Sequence, residues 1–264
     1  MPGKLSAAFA VFGRRTRKAQ QPAARSRRRQ IKVSACLVVT LVLVGCGLWS
    51  PVAWAQTAPN LGTTEPFGLV ASTFNNTNAA TTVNGDVCFT TGPGTAYTLN
   101  GTQTVPCSAQ VGLDENSALA TLNGEACTSL GAGVVTLDTV VIGLNPAGTI
   151  PPGCYSSGGA MNITTLATVT LSGAGVYIFK SGGPLGIGAS SNISLTNGAL
   201  AANVFWAPVA AVTLGASATF VGTIIDAAGI TFGHLAVLTG RALAFGGTVT
   251  ADANTTTTRS RAFY

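Results

Sequence analysis

The chain reads as an all-β-dominated protein, a three-sided β-solenoid of 18–19-residue coils with one flanking α-helix. Apolar-Thr/Ser-apolar triplets begin at Ile193, Val212, Ile230 and Val249, a nearly constant step along the second half of the chain. A second marker keeps the same beat, because Asn203, Gly222 and Gly240 each fall at the same offset from the start of a triplet. Short strands joined by glycine corners at a fixed step are what stacked coils require. The stretch "AVTLGASATFVGTII", Ala211–Ile225, is therefore one coil of a repeat.

The N-terminal stretch reads as a leader. Residues 1–32 carry ten Lys/Arg and no acid, whereas residues 33–264 carry four Lys/Arg against eight acids, a net charge of −4. The basic character of the whole chain, net +6, thus belongs to the leader, and no nucleic-acid partner is expected. Val33–Trp49 is an apolar run of secretory length, and Ala53-Trp54-Ala55 before Gln56 is a small-x-small cleavage pattern. We read residues 1–55 as an export signal removed after Ala55, and 56–264 as a single secreted or cell-surface domain. An uncleaved membrane anchor is the rival, and the apolar run is short for a span. Leu43-Val44-Gly45-Cys46 resembles a bacterial lipobox, which would place a lipid on Cys46. Ser26–Lys32 is a weak match to a twin-arginine motif, with Gln30 at its aromatic position. Either route takes the protein out of the cytoplasm, and membrane contact is expected only through the leader or that lipid.

Four cysteines follow the leader, Cys88, Cys107, Cys127 and Cys154. An even number in an exported chain predicts disulfides. A zinc site is the competing reading, but no CxxC or HxxxH spacing accompanies them and His234 is the only histidine. Pairing of neighbours, Cys88 with Cys107 and Cys127 with Cys154, is one of three open connectivities. Asp114–Asn123 is expected to be a short helix, capped by Asp114, with Leu119, Leu122 and Ala126 on one face and Gly124 at its end.

Strand alternation assigns the faces of the coils. If Val212 and Leu214 point inward, Thr213 points outward, and stacking lines up Ser194, Thr213, Thr231 and Thr250 in one column. Thr170, in Val169-Thr170-Leu171, is an earlier member, set back from Ser194 by a longer corner. Neighbouring coils lie about 4.7–4.9 Å apart, so the column is a flat, regular row of hydroxyls and methyls. Threonine is favoured at exposed strand positions in any case, and it is abundant throughout 56–264, so chance alignment is the competing explanation. The functional reading is a rigid array that matches a periodic surface, with few rotamers to freeze on contact.

"IPPGCY", "GVYIFKSGGPL", Asn203-Val204-Phe205-Trp206, "VTLGASATFVGTII", "GITF" and "LTGRALAFGGTVTADANT" occur in that order. With "FGLVASTFNNTNAATTVNGDV" at Phe67–Val87, they closely resemble the microbial ice-binding proteins over roughly Asn60–Thr256. The resemblance implies a three-sided, discontinuous β-solenoid with a helix packed along it, N-terminal strands pairing beside the C-terminal coils, and adsorption to ice crystals through one flat face. The column Thr170, Ser194, Thr213, Thr231 and Thr250 is the candidate contact row. A Thr-Ala/Gly-x-Thr/Asn motif marks the ice face in some members, and its one clear instance here, Thr95-Ala96-Tyr97-Thr98, lies outside the regular coils.

An enzyme is not expected. A β-helical lyase or hydrolase needs paired carboxylates or an Asp/Arg/Lys cluster in a groove, and the regular coils contribute only Asp226 and Asp252. No Gly-x-Ser-x-Gly elbow is present. His234 reads as a corner residue, Arg241 as a structural ion-pair or hydrogen-bond partner, and Asp86 as a turn residue. No calcium repeat, metal site or cofactor is expected. The alternative to ice binding is an adhesin or a self-assembling solenoid, with the tail Thr255–Thr258 and the following Arg259 and Arg261 as an edge-covering or contact strand.

Overall fold

The computed structural model describes residues 56–258; the stretch read as an export signal, Cys46, Arg259 and Arg261 lie outside them. In chain order the first strands are β1 (Phe67–Asn76), β2 (Thr82–Asn84), β3 (Asp86–Thr91), β4 (Thr98–Asn100) and β5 (Gln103–Thr104). Helix α1 (Ala109–Gly124) follows, then β6 (Thr128–Gly131), β7 (Val135–Thr136), β8 (Thr149–Ile150), β9 (Gly153–Ser157), β10 (Met161–Ile163) and β11 (Thr168–Ser172). The rest are β12 (Tyr177–Ser181), β13 (Leu185–Ile187), β14 (Asn192–Thr196), β15 (Val204–Pro208), β16 (Val212–Leu214), β17 (Thr219–Ile225), β18 (Ile230–Phe232), β19 (Val237–Ala251) and β20 (Thr255–Thr257).

All strand pairs are parallel, and the chain winds round three faces in a fixed order. The helix face is β6, β9, β12, β15, β17, β19, β1, β3 and β5. A narrow face runs β7, β10, β13, β16, β18, β19 and β1. A broad face runs β8, β11, β14, β17, β19, β20, β2 and β4. The long strand β19 serves all three faces in turn.

The stack is discontinuous in sequence. β1, the first strand of the chain, lies between β19 and β3, so the N-terminal coils extend the C-terminal end of the solenoid. The chain must then return to the opposite end to start β6. Helix α1 makes that return: its 16 residues span about 24 Å, some five strand spacings. β20 is therefore an interior strand, paired with β19 on one side and β2 on the other. The expectation of an edge or contact strand at Thr255–Thr258 is corrected by this docking of the N-terminal strands.

Inside the coils, Tyr155, Phe179, Trp206 and Phe220 form an aromatic file, with successive ring centroids 5.8, 4.2 and 4.8 Å apart. The Trp206 indole N–H donates to the Val221 carbonyl at 2.9 Å, so the largest core residue leaves no polar atom unpaired. Where β17 and β19 turn from the broad face to the helix face, Gly222 stands opposite Gly240. A Cβ on Gly240, at φ 153°, would collide with the Gly222 carbonyl oxygen, so only glycine permits coils to stack there.

The helix begins at Ala109, ahead of the expected start at Asp114, with Ser108 at the N-cap position. Its buried stripe is Val111, Gly112, Glu115, Ala118 and Leu122, whereas Ala126 is exposed beyond the helix end. A stripe containing Gly, Glu and Ala gives a weak apolar period, which hid the first turns. Asp114 is not the cap; its carboxylate accepts from the Thr63 N–H and hydroxyl, both at 2.7 Å, and ties the N-terminal segment to the helix. Those Thr63 bonds lower its pKa. Beneath the stripe lie Val70, Cys88, Cys154, Ile178, Phe205, Ile225 and Leu243. The disulfides Cys88–Cys107 and Cys127–Cys154 fasten the chain on either side of the helix.

Lys180 closes the far end of the helix. Its ammonium donates to the Asn123 carbonyl at 3.1 Å and the Glu125 carbonyl at 2.7 Å, satisfying helix-terminal acceptors. Replacing it, Lys180→Met, keeps the apolar stem and removes both bonds. The expected loss is about 1 kcal/mol, read as a lower Tm with faster amide exchange in the last turn of α1.

Candidate functional site

The narrow and broad faces differ in pattern as well as width. On the narrow face each three-residue strand reads in-out-in: Thr213 is exposed between buried Val212 and Leu214, and Thr231 between buried Ile230 and Phe232. One outward column results, running Thr136, Asn162, Gly186, Thr213, Thr231, Thr250 and Asn75. Gly186 breaks it. Around this position the surface sinks into an open groove of about 460 Å³ lined by Asn162, Ile163, Thr164, Gly186 and Thr213 among others.

On the broad face the strands read out-in-out, so two outward columns flank each buried residue. The first column is Thr168, Asn192, Thr219, Val237, Thr255, Thr82 and Thr98. The second holds Thr149, Thr170 and Ser194, is interrupted at buried Val221, and resumes with Thr239, Thr257, Asn84 and Asn100. Eight strands at about 4.8 Å give this face a length of about 34 Å. Its end is cross-linked by side chains: the Asn100 amide donates to the Asn84 amide oxygen at 2.8 Å, and Asn84 donates to the Thr257 hydroxyl at 3.2 Å. No ionisable residue stands among the members of either column.

The expected single column is thereby corrected. Thr170 and Ser194 are paired neighbours on the broad face, whereas Thr213, Thr231 and Thr250 are paired neighbours on the narrow one. The step from Ser194 to Thr213 is not a coil but the path from the broad face, across β15 on the helix face, to the narrow face. The true partner of Thr213 in the preceding coil is Gly186, well before Ser194 in sequence. Only the last coils keep the short, regular step. A signal in the sequence could have found the broad face: polar-x-polar triplets such as Thr168-Val169-Thr170, Asn192-Ile193-Ser194, Thr255-Thr256-Thr257 and Thr82-Val83-Asn84 recur in it.

Thr95-Ala96-Tyr97-Thr98 also joins this face. Thr98 ends its first column, opposite Thr82. The backbone before it is held by the Asn76 amide, which donates to the carbonyls of Thr95 and Ala96 at 3.3 and 2.8 Å. Tyr97 turns inward, edge-on to Phe74 at 5.1 Å, and its hydroxyl donates to Gln103.

The ionisable residues serve the framework. His234 sits at the corner between the narrow and broad faces, 3.2 Å from Asp252. Arg241 is buried and bonds both the carbonyl and the carboxylate of Glu65, at 2.9 and 2.8 Å, locking the N-terminal segment onto β19. Asp86 opens β3, and its carboxylate accepts the Thr102 N–H at 2.7 Å. Glu115 is buried under the helix, both oxygens on the Phe245 N–H, and burial raises its pKa to about 7. Among the described residues no three His, Cys, Asp or Glu side chains gather as a metal site.

The model of the ice-binding-like family matches residues 60–257, nearly everything described. The chain belongs to this family. Among curated relatives, an ice-binding protein of Flavobacterium frigoris is 30% identical over 196 residues, covering 70% of this chain and 71% of the relative. Ice-binding protein K3-B1 of Typhula ishikariensis is 28% identical, covering 72% of this chain and 86% of its own length. Among solved structures of ice-binding proteins, one from an Antarctic biological consortium superposes with TM-score 0.67 at 28% identity, over 77% of this chain and 92% of that one. Another, from the Antarctic ascomycete Antarctomyces psychrotrophicus, gives TM-score 0.67 at 29% identity, over 78% of this chain and the whole of that one.

Proposed function

We propose that this member of the ice-binding-like family adsorbs to ice crystals through its broad face and so slows their growth and recrystallisation. The observation that carries the choice of face is the pair of parallel Thr/Asn columns, uncharged and spread over eight strands. Two columns on a strand scaffold make a lattice with one repeat of about 4.8 Å across the strands and another of about 6.6 Å along them. A one-column face carries only the first repeat. Threonine holds a methyl and a hydroxyl in few rotamers, so the array orders water beside it with little side-chain entropy to lose. The adsorbed molecule pins the crystal front. No catalytic group, metal or cofactor takes part.

Within the row first read from the sequence, Thr170 and Ser194 belong to this proposed site, and Thr213, Thr231 and Thr250 form a separate, narrower candidate. The leader and the two disulfides support a protein that works outside the cytoplasm, secreted or at the cell surface. The assembly alternative keeps one foothold among the described residues, the terminal coil, where Val134, Val141 and Leu144 are exposed.

The test is capture by growing ice, with recrystallisation inhibition, using purified residues 56–264. Incorporation of the folded protein into the ice fraction is the expected result; exclusion from ice together with unimpeded recrystallisation would sink the proposal and promote assembly, to be sought by sedimentation.

A further inference from the structure

We infer that the edge between the broad and narrow faces belongs to the ice contact, with Leu166 and Leu235 as apolar contact residues that widen the broad face by a third column. This rests on the ice-binding proposal above and adds residues to the same site.

The edge is built from one turn repeated in four successive coils. Ala167, Ser191, Ala218 and Ala236 each donate a backbone N–H to the residue three positions earlier, Thr164, Gly188, Gly215 and Gly233, at 3.1–3.3 Å. The third residue of each turn has a left-handed backbone: Leu166 at φ 65°, Ser190 at 54°, Ser217 at 57° and Leu235 at 60°. These residues are linked from coil to coil. The N–H of Leu166 donates to the Ala189 carbonyl, Ser190 to Ala216, Ser217 to His234 and Leu235 to Asp252, at 2.8–3.1 Å. Each stands two positions before a member of the first column, namely Thr168, Asn192, Thr219 and Val237. They form a ridge parallel to that column and at the same spacing.

Leucine is the wrong residue for this backbone on local grounds. A positive φ at the third turn position favours Gly or Asn, and a side chain with a Cβ is disfavoured there. Glycine is present in three of these turns, but at their first position, where the turn of Leu166 has Thr164. There a Cβ on Gly188, Gly215 or Gly233 would collide with the backbone of the preceding coil. Stacking thus explains the glycines and leaves the left-handed positions to side chains. Burial does not explain the leucines either, since Leu166 is 77% and Leu235 51% exposed. An apolar side chain held largely outward in a strained conformation marks a surface shaped for contact. The partner follows from position. The ridge borders the uncharged Thr columns, and its methyls continue their alternation of methyl and hydroxyl round the edge, where apolar groups restrict the orientation of first-shell water.

The experiment compares the parent with Leu166→Asn/Leu235→Asn and Leu166→Met/Leu235→Met by thermal hysteresis and by melting. Asn tolerates the left-handed backbone, so the Asn pair is expected to melt at or above the parent temperature while losing hysteresis. The Met pair keeps an apolar group and is expected to keep hysteresis. Parent-level hysteresis in the Asn pair would overturn the inference and leave the ice proposal standing, as would a Met pair as inactive as the Asn pair. An Asn pair that melts well below the parent would overturn the strain argument. A parent with no hysteresis at all would remove the ice proposal and the inference with it, an outcome distinct from the others.

Discussion

Thr219→Tyr/Thr239→Tyr is expected to abolish thermal hysteresis and recrystallisation inhibition, while Thr213→Tyr/Thr231→Tyr leaves both near parent levels. Thr219 and Thr239 lie in different columns of the broad face on adjacent coils, near its centre, and Thr219 is exposed. A tyrosine ring there stands well proud of the plane of the threonine side chains, and a rigid crystal surface cannot yield around it. Contact over a face about 34 Å long is then lost on both sides of the protrusion. The narrow-face pair carries the same bulk one corner away, between inward residues that are equally buried, so it controls for any general effect of two surface tyrosines. Both pairs point outward, and their circular dichroism and melting are expected to match the parent. Hysteresis that survives in the Thr219/Thr239 pair and vanishes in the Thr213/Thr231 pair would move the site to the narrow face. Loss in neither would exclude both faces.

The solenoid itself was legible because its last coils are nearly uniform. Thr213, Thr231 and Thr250 follow one another at an almost constant step and do stack. The same regularity misled where it stopped. A β-solenoid constrains the strands and leaves corner lengths free, so the longer coils from Thr170 to Ser194 and from Gly186 to Thr213 stack as well as the short one from Thr213 to Thr231. The segment Asn197–Asn203, which includes a short 3-10 helix at Ala201–Asn203, lengthens one corner. Counting from Ser194 at a fixed step therefore lands on another face. Face membership is written instead in the alternation: out-in-out at Thr168–Thr170 and in-out-in at Val212–Leu214. The interior position of β20 was hidden for a different reason. Its partner β2 comes from the opposite end of the described chain, and no local period reports a stacking order that differs from chain order. The disulfide pairs and the roles of Arg241 and His234 were closer to hand, since few partners exist for so few charged groups.

Protein stability is expected to fall as pH rises from 5 to 8, and Glu115→Gln is expected to remove most of that slope. Glu115 is the one acidic residue on the buried stripe of α1. It sits where β19 breaks register with β1, between Ala244 and Thr248, and meets the Phe245 backbone N–H there. The Glu115 carboxylate accepts it through both oxygens, at 3.0 and 3.2 Å. Burial is the larger effect, and it raises the pKa from 4.5 to about 7 against the opposing Phe245 bond. A carboxyl with a raised folded pKa binds its proton more tightly in the folded chain than in the unfolded one. Its contribution is fully present below about pH 4.5 and is lost as pH climbs through 7. A shift of this size corresponds to about 2–4 kcal/mol. Asp226, buried nearby, is likewise raised by burial. Asp114 is lowered by its Thr63 bonds, so it titrates below the window and does not oppose it. Glutamine retains an oxygen for the Phe245 N–H and has no charge to bury. The variant should therefore equal the parent at pH 5 within about 1 kcal/mol and exceed it at pH 8, measured by urea denaturation at both values. An unchanged slope in Glu115→Gln would show that the carboxylate is solvated when ionised, and that the helix lifts from Phe245 without cost to the fold.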